Sequence, residues 1–463
     1  MKITKIHFFV ILFSAITGIL IYLNSIYNFK TFIFIILNCV IIYLLNLKIK
    51  IKFFKKVLIT YLLFLFSIYT LETLIYLKNQ YSENSVFNNK IKVAKEKNLD
   101  FDKRSIFQYV YENKKLGKNF FPVIFPRYFA ENPLIIDNKK VIPLSSISNA
   151  ATVYCNESGF YSTYKSDNFG FNNYNDIWKK NKISHNILLI GDSYVHGACV
   201  NQNFTITSFL NKKNKNYNFF NLGMGGNGPL INYATLREYG EFLKPKKIFF
   251  FFFEGNDYKD LERELSSNLL RKYLEVEFTQ NLLIENDKID TAKKKYYYKF
   301  LSSYEPRNFI GEIIRLKNLR HRISVLKKKI KTSEIKIIRS KEQNNESSKD
   351  IYVAKDKKNL NDELYTIFIN SKKIVESWGG ELTVFILPDY GFFHEKKAGK
   401  PIKRKKYTKI FEILKKTNID FIDFYKYLED NEDVISYFPL ELPGHYNEKG
   451  YEFIAEVINK NLK

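Results

Sequence analysis

The stretch NILLIGDS, residues 186–193, decides the fold, because an uninterrupted apolar run ends there in three small or polar residues. Two more stretches typical of strands follow, Tyr217–Leu222 and Lys247–Phe253, and the second contains five consecutive phenylalanines. Between the runs, Phe204–Leu210 and Pro229–Phe242 have helical character. Strands that are apolar throughout belong to sheets covered on both faces. The alternation of strand and helix therefore predicts an α/β fold with a parallel sheet.

The alternation stops for a charged, helical interval and then resumes near the C-terminus. The resumed elements are two helix–strand pairs and a final helix: Leu364–Trp378, Leu382–Leu387, Tyr407–Lys416, Phe421–Phe424 and Glu448–Leu462. We therefore expect one α/β domain at residues 185–463, with a helical insertion at about 258–360. Residues 81–184 are interpreted as a linker and lead-in segment.

The N-terminal region contains three apolar runs, at residues 7–23, 31–47 and 57–77. With flanking residues counted, each is close to the roughly 20 residues that span a bilayer core. Five lysines lie between the second and third runs and one between the first and second, so the positive-inside rule places the second loop in the cytoplasm. The sequence thus predicts a transmembrane region at 1–80 with three helices. It predicts a multi-pass protein of the cell membrane, with the lipid bilayer as a partner and everything after Leu77 extracytoplasmic.

Net charge and location together limit the partners. The 463 residues include 73 Lys and Arg against 48 Asp and Glu, a net charge of +25. This charge indicates an anionic partner or simply a lysine-rich composition, and the sequence leaves both interpretations open. On the far side of a membrane we expect no nucleic acid partner and no nucleotide cofactor. Envelope glycans, lipids and peptides remain as candidates.

The chain has three cysteines, Cys39, Cys155 and Cys199, too few for a disulfide-dense scaffold. An oxidising compartment would allow a disulfide between Cys155 and Cys199, and two buried free thiols are an equal alternative. No CxxC pair or Cys/His cluster has the spacing of metal ligands, so we expect no metal and no cofactor.

Four short segments carry the groups that a serine-based acyl transfer requires. Each of the first three runs ends in one of them: Gly191-Asp192-Ser193, the glycine-rich 223–228 and Gly255-Asn256-Asp257. The fourth, His445-Tyr446-Asn447, precedes the last helix. Open parallel sheets bind ligands beyond the carboxyl ends of their strands. The segments would bring together a hydroxyl, backbone amides, an amide side chain and an imidazole.

These four segments resemble the sequence blocks of the SGNH, or GDSL-type, hydrolase superfamily, over about residues 185–460 with the insertion unmatched. The resemblance implies a three-layer α/β/α sandwich of flavodoxin-like type. It implies that Ser193 is the nucleophile and His445 the catalytic base. The amides of Ser193 and Gly226 and the side chain of Asn256 would form the oxyanion hole.

One position departs from the family pattern. The family usually has an acid three residues before the histidine, and here that position is Leu442. Glu441 is the candidate orienting acid, one residue out of register. A backbone carbonyl near Leu440–Pro443 and the side chain of Asp389 are the alternatives. Replacing the acid of a triad can lower the rate by about 10⁴, so weak or absent catalysis is a further expectation.

Two competing interpretations concern the same segments. Gly223, Gly225 and Gly228 spell GxGxxG before a helix, the dinucleotide-binding pattern. Pro229 removes an amide from the start of that helix, which argues against a bound pyrophosphate. His196, three residues after the proposed nucleophile, is a rival base.

The sequence as a whole predicts a membrane-anchored serine esterase that acts through an acyl-enzyme. The substrate would be an O-acyl group, such as acetyl, on an envelope glycan or a related ester. An O-acyltransferase is the variant in which a sugar hydroxyl replaces water. The alternative of another class is a non-enzymatic glycan-binding or assembly protein on a degenerate SGNH scaffold, which the missing acid favours.

Overall fold

The computed structural model describes residues 51–174, 177–178, 186–275, 277–302, 313, 315–326, 360–397, 408–429 and 433–462. The chain divides into two compact units. One comprises residues 1–89 and 305–351, and the other comprises residues 90–304 and 352–463. The predicted sheet and all the predicted site residues belong to the second unit.

The strands, numbered in chain order, are β1 (Phe120–Pro122), β2 (Leu134–Ile136), β3 (Lys139–Val141), β4 (Ala151–Val153), β5 (Thr163–Lys165), β6 (Asn186–Ile190), β7 (Asn218–Asn221), β8 (Lys247–Phe253), β9 (Glu381–Leu387) and β10 (Asp420–Asp423). The α-helices are α1 (Ile51–Glu96), α2 (Ile106–Lys115), α3 (Arg127–Ala130), α4 (Ser193–His196), α5 (Ile206–Lys213), α6 (Pro229–Thr235), α7 (Glu241–Leu243), α8 (Asp257–Glu264), α9 (Asn268–Arg271), α10 (Asn286–Ser302), α11 (Leu360–Ser377), α12 (Tyr390–Lys397), α13 (Thr408–Thr417), α14 (Tyr425–Leu428) and α15 (Glu448–Lys460). A π-helical turn, Leu236–Gly240, joins α6 to α7.

A five-stranded sheet in the order β10-β9-β8-β6-β7 forms the centre of the second unit, and all its neighbouring strands are parallel. The predicted parallel sheet is therefore present. The strands predicted at 186–190 and 247–253 have these same bounds, and the other three differ by a single residue at either end. Because β6 lies between β8 and β7, the segments that follow these three strands are neighbours at one edge of the sheet.

Both faces of the sheet are covered, as its apolar strands require. In β6, Leu188 and Ile190 belong to a core shared with α6, α11 and α13. Ile187 and Leu189 belong to a second core shared with α5 and α15. Helices on both faces make the arrangement a three-layer α/β/α sandwich.

The lead-in segment, from residue 90 onward, packs on one face of this sandwich. Strand β1 pairs in parallel with β4, β4 pairs antiparallel with β5, and β2 and β3 form a separate hairpin. Val123, Ile142 and Tyr154 of the segment lie in the same core as Leu188 and Phe220 of the main sheet. The segment is therefore part of the same compact unit as the sheet.

The prediction of three transmembrane helices is contradicted. No helix in the described part of the chain has both the length and the apolar character that crossing a bilayer needs. The third predicted span, 57–77, lies within α1, where Lys56 and Glu72 bound an uncharged stretch shorter than the roughly 20 residues required. The predicted spans 7–23 and 31–47 lie outside the described residues.

Glu72 illustrates why hydropathy alone misled here. Its side chain is fully buried and accepts hydrogen bonds from the backbone N–H groups of Asn318 at 2.9 Å and Leu319 at 2.7 Å. A carboxylate held by backbone amides at a helix start is a protein contact rather than a membrane one. The absence of a described span also contradicts the predicted multi-pass location and the extracytoplasmic placement of the catalytic domain, which rested on three spans.

The start of α6 is held by a carboxylate from α8. Glu264 is buried and accepts hydrogen bonds from the backbone N–H groups of Gly228, Leu230 at 2.9 Å and Ile231 at 3.2 Å. Burial raises the pKa of Glu264 to about 8. This single side chain satisfies three amides that the first turn of a helix otherwise leaves without partners.

We expect Glu264→Ala to lower the stability of the protein by roughly 2–4 kcal/mol, because three buried donors lose their acceptor. Glu264→Gln keeps one acceptor and should cost less. Urea denaturation followed by circular dichroism measures both. Glu262→Ala is the matched control, because Glu262 is exposed on the same helix and its loss should cost less than about 0.5 kcal/mol. Equal midpoints for Glu264→Ala and Glu262→Ala would contradict the prediction.

Candidate functional site

Ser193 begins the short helix α4 directly beyond the carboxyl end of the central strand β6. Asp192 is the N-cap residue, and its side chain accepts a hydrogen bond from the backbone N–H of Tyr194 at 3.0 Å. Burial raises the pKa of Asp192 to about 6. Ser193 itself is buried, with 8% of its surface exposed. The cap thus fixes the serine at the sheet edge where ligands bind in this class of fold.

His445 lies against Ser193 although 252 residues separate them in sequence. Its Nε2 atom is 2.9 Å from Ser193 Oγ, the distance of a hydrogen bond. Asn447 caps α15 by accepting a hydrogen bond from Gly450 N–H at 3.0 Å, which fixes the segment that carries the imidazole. The structure therefore brings Ser193 and His445 together in the geometry of a nucleophile and its base.

Glu157, from the lead-in segment, contacts the other side of His445. The Nδ1 atom of His445 is 3.2 Å from Glu157 Oε1, and the backbone N–H of His445 donates to Glu157 Oε2 at 2.8 Å. With Nδ1 as the donor to the carboxylate, Nε2 is left as the acceptor for the Ser193 hydroxyl. The three side chains then form one continuous chain of hydrogen bonds.

The segment around Glu157 is itself tethered to the nucleophile segment. Cys155 and Cys199 form a disulfide, which joins the chain just after β4 to the turn that follows α4. Lys90 lies 3.5 Å from Glu157 Oε1 and is almost completely buried. Both contacts hold the carboxylate close to His445.

Charge pairing shifts the pKa values of this pair in opposite directions. Burial raises the pKa of Glu157, but the charges of His445 and Lys90 and the hydrogen bonds of His445 outweigh it and hold the pKa at about 2. Burial lowers the pKa of His445, but Glu157 and, to a smaller extent, Asp192 raise it above the usual histidine value. Lys90 opposes that rise. A carboxylate that stays ionised beside an imidazole stabilises the imidazolium formed when the serine loses its proton.

The structure does not bring Glu441 to His445. Glu441 is exposed, and its carboxylate forms an ion pair with Lys97 at 2.7 Å. It follows Leu440 in a turn where both residues have positive φ angles, 56° and 58°. Asp389, the other candidate acid, accepts a hydrogen bond from the backbone of Gly391 at 3.0 Å.

Backbone carbonyls near the predicted turn also have other partners. The carbonyl of Glu441 accepts a hydrogen bond from Tyr390 at 3.0 Å, and that of Gly444 accepts one from Tyr194 at 3.3 Å. The position taken by an acid in the family pattern, Leu442, is half-buried. Glu157 therefore contacts Nδ1 of His445, the atom for which the sequence predicted Glu441, Asp389 or a backbone carbonyl as the partner.

Gly226 and Asn256 lie in the segments after β7 and β8, on either side of the Ser193 segment. Gly226 has a φ of 74°, in the left-handed region that glycine adopts without strain. Asn256 Nδ2 donates to Asp260 Oδ2 at 2.9 Å, which uses one of its two N–H groups. Gly226 and Asn256 thus follow the two strands that flank the strand before Ser193, so their position in the sheet is compatible with the predicted oxyanion hole.

The glycine-rich turn is covered by protein rather than open to a phosphate. A Cβ on Gly225 would lie 2.4 Å from the Tyr154 hydroxyl and 2.6 Å from Phe125 Cε1, so the lead-in segment packs on the turn. A Cβ on Gly228 would lie 2.8 Å from Glu264 Oε2. Because Glu264 takes the amides at the start of α6, the GxGxxG pattern serves close packing here.

His196, the rival base, is fully buried with both ring nitrogens in contact. Nδ1 accepts a hydrogen bond from Gly225 N–H at 3.2 Å, and Nε2 lies 3.0 Å from the Tyr164 hydroxyl. Burial lowers the pKa of His196 to about 3, which keeps the ring neutral. His196 therefore supports the glycine-rich turn rather than serving Ser193.

Glu157, Cys199 and His445 are close enough to one another to suggest a metal site. Their donor atoms are already in use. The sulfur of Cys199 is in the disulfide, and the two nitrogens of His445 contact Glu157 and Ser193. These residues therefore do not fit a metal ion, which would need a thiolate and a free imidazole nitrogen.

Sequence reasoning missed Glu157 because 288 residues separate it from His445 and it lies outside the strand–helix alternation. One signal could have found it. Glu157 is two residues after Cys155, and a disulfide to Cys199 places it close to the segment that begins at Ser193.

No family model matches the sequence, and no curated protein matches it. Among solved structures, the chain is similar to a member of the lipolytic protein G-D-S-L family from Veillonella parvula, at 12% identity and a TM-score of 0.30 over 60% of this chain and 97% of that chain. It is similar to the acetyl xylan esterase AlAXEase, at 10% identity and a TM-score of 0.31 over 60% of this chain and 100% of that one. It is also similar to a lipase/acylhydrolase from Enterococcus faecalis, at 12% identity and a TM-score of 0.30 over 60% and 95%.

Proposed function

We propose that this protein is a serine hydrolase that cleaves the ester bond of an O-acyl group through an acyl-enzyme. The observation that carries the proposal is the hydrogen-bond chain from Glu157 through His445 to Ser193, at 3.2 Å and 2.9 Å. It places a nucleophile, a base and an orienting carboxylate in sequence.

The mechanism follows from the direction of the hydrogen bonds. His445 Nε2 takes the proton of Ser193 Oγ as the oxygen attacks the ester carbonyl. The negative charge that develops on the carbonyl oxygen is bound by the amides of Ser193 and Gly226 and by Asn256 Nδ2. His445 then gives its proton to the leaving alkoxide, and the acyl group remains on Ser193. Water, deprotonated by His445, releases the carboxylic acid and restores the serine.

Glu157 supports the proposal against the non-enzymatic alternative. That alternative rested on Leu442, where the family pattern has an acid. Glu157 supplies a carboxylate at Nδ1 from a different part of the chain, with a pKa of about 2 that keeps it ionised at neutral pH. We propose it as the positioning residue of the site, which holds the Nδ1–H tautomer and stabilises the imidazolium.

The nucleophile can be identified by covalent labelling. A fluorophosphonate probe should label the full-length protein, because the His445–Ser193 contact activates the hydroxyl, and Ser193→Ala should abolish the labelling. His445→Ala should reduce it strongly. Mass spectrometry of the labelled peptide measures the site. Equal labelling of the wild type and Ser193→Ala would refute the proposed function.

The two candidate acids can be separated by a matched pair of variants. Glu157→Gln should lower kcat for an aryl acetate by about 10²–10⁴, because the ring loses its orienting charge. Glu441→Gln removes an exposed carboxylate paired with Lys97 and should change kcat by less than about twofold. Thermal melting checks that both variants fold. A larger loss in Glu441→Gln than in Glu157→Gln would contradict the assignment.

The pH dependence provides a separate test of the same contact. The reaction needs neutral His445, and Glu157 raises the pKa of His445. The acidic limb of the kcat/KM profile should therefore titrate above the usual pKa of histidine. Glu157→Gln removes the charge that favours the imidazolium, so the limb should move to lower pH while the plateau falls. An unchanged midpoint would mean that Glu157 does not act on His445.

A further inference from the structure

A cationic side chain from the lead-in segment lies directly over the glycine that we assign to the oxyanion hole. A Cβ placed on Gly226 would lie 2.6 Å from Nη1 and 2.9 Å from Cζ of Arg127. The guanidinium therefore packs against the backbone of Gly226. Arg127 is the first residue of α3 and is half-buried.

Two aromatic rings fix the position of this guanidinium. Its Cζ atom is 5.2 Å from the ring centroid of Phe125 and 5.7 Å from that of Tyr128. Phe125 is itself packed against Gly225. Cation–π contacts of this kind attract a guanidinium to the rings without using its N–H groups, which remain able to donate.

Among the described residues, Arg127 has no ion pair and no hydrogen bond. The carboxylate of Asp260 is near enough for Arg127 to lower its pKa, against the rise that burial causes. Asp260 is bound, however, by Arg263 and by Asn256 Nδ2. A half-buried cation thus keeps its planar fork of donors beside the proposed reaction centre.

We propose that Arg127 is a specificity-determining residue that binds a carboxylate carried by the ester substrate near the scissile bond. The inference rests on the proposed esterase function. A carboxylate matches the fork of a guanidinium with two parallel hydrogen bonds, which a neutral hydroxyl or amide cannot do. The net charge of +25 of the whole chain would also attract such anionic esters. The substrate class is therefore esters that carry a carboxylate near the scissile bond, such as acyl esters of acidic sugars.

The first measurement needs no turnover. In the full-length Ser193→Ala protein, NMR titration gives the Kd of 4-acetoxybenzoate and of its uncharged isostere 4-acetoxybenzamide, which differ in the alcohol portion. Phenyl hemisuccinate and phenyl succinamate form a second pair, in which the charge lies on the acyl portion. Adding Arg127→Gln should weaken binding of the anion in at least one pair by about tenfold to hundredfold relative to the uncharged ester. Arg127→Lys, which keeps the charge and loses the fork, should be intermediate.

Lys140→Gln is the matched control, because it removes an exposed cation of β3 and should leave the preference for the anion unchanged. Equal affinity of the Ser193→Ala protein for the charged and uncharged members of both pairs would overturn the proposal. So would a preference that survives Arg127→Gln.

Kinetics with Ser193 intact separate this inference from the function on which it rests. The ratio of kcat/KM for the anionic ester to that for the uncharged ester should fall by the same factor in Arg127→Gln. Equal losses for both members would assign Arg127 to the oxyanion instead and overturn the specificity role. Absence of Ser193-dependent turnover with an intact binding preference would refute the esterase proposal and leave Arg127 as the anion-binding residue.

Discussion

The hydrogen bond between the Glu157 carboxylate and the His445 imidazole is the contact on which the rest of the site depends. It fixes the ring so that Nε2 faces Ser193, and it connects the α/β sandwich to the lead-in segment. Both side chains are partly shielded from water, and Lys90 also lies 3.5 Å from Glu157 Oε1, so the carboxylate has a second partner besides the imidazole. The backbone contact from His445 N–H, Lys90 and the nearby disulfide all serve this one position.

The acids around Ser193 differ in charge because their surroundings differ. Burial raises the pKa values of Asp192, Asp257 and Glu264, and these carboxyl groups mainly hold backbone amides. Glu157 is less buried than these three acids, and Lys90 and the His445 ring both lie close to its Oε1 atom, so its pKa is held at about 2. One carboxylate is therefore kept ionised at the imidazole, while the others act as caps. The surroundings of each carboxyl group, rather than its being Asp or Glu, determine whether it stays ionised beside the imidazole or holds backbone amides.

Local patterns made the sheet predictable. After their first residues, the runs Asn186–Ile190 and Lys247–Phe253 are entirely apolar, a pattern typical of a strand covered on both faces. Because the sheet is parallel, the segments carrying Ser193, Gly226 and Asn256 had to meet at one edge. Glu157 could not be found in this way, since its position depends on a tertiary contact and a cross-link rather than on periodicity. The predicted span at 57–77 failed for the opposite reason: hydropathy is counted locally, and it does not register that the Glu72 carboxylate has partners in the folded protein.

The disulfide between Cys155 and Cys199 has a consequence for where this protein can be divided. A fragment that starts at residue 185, where the strand–helix alternation begins, would keep Ser193 and His445 and the whole five-stranded sheet. It would lose Glu157 together with the half of the cross-link that holds it, and it would uncover the turn on which Phe125 and Tyr154 pack. A fragment with the complete hydrogen-bond chain must begin upstream of Cys155 and Glu157, and one that also keeps the contact with Lys90 must begin at or before residue 90. The functional boundary of the sandwich is thus set by a hydrogen bond and a cross-link, not by the first strand.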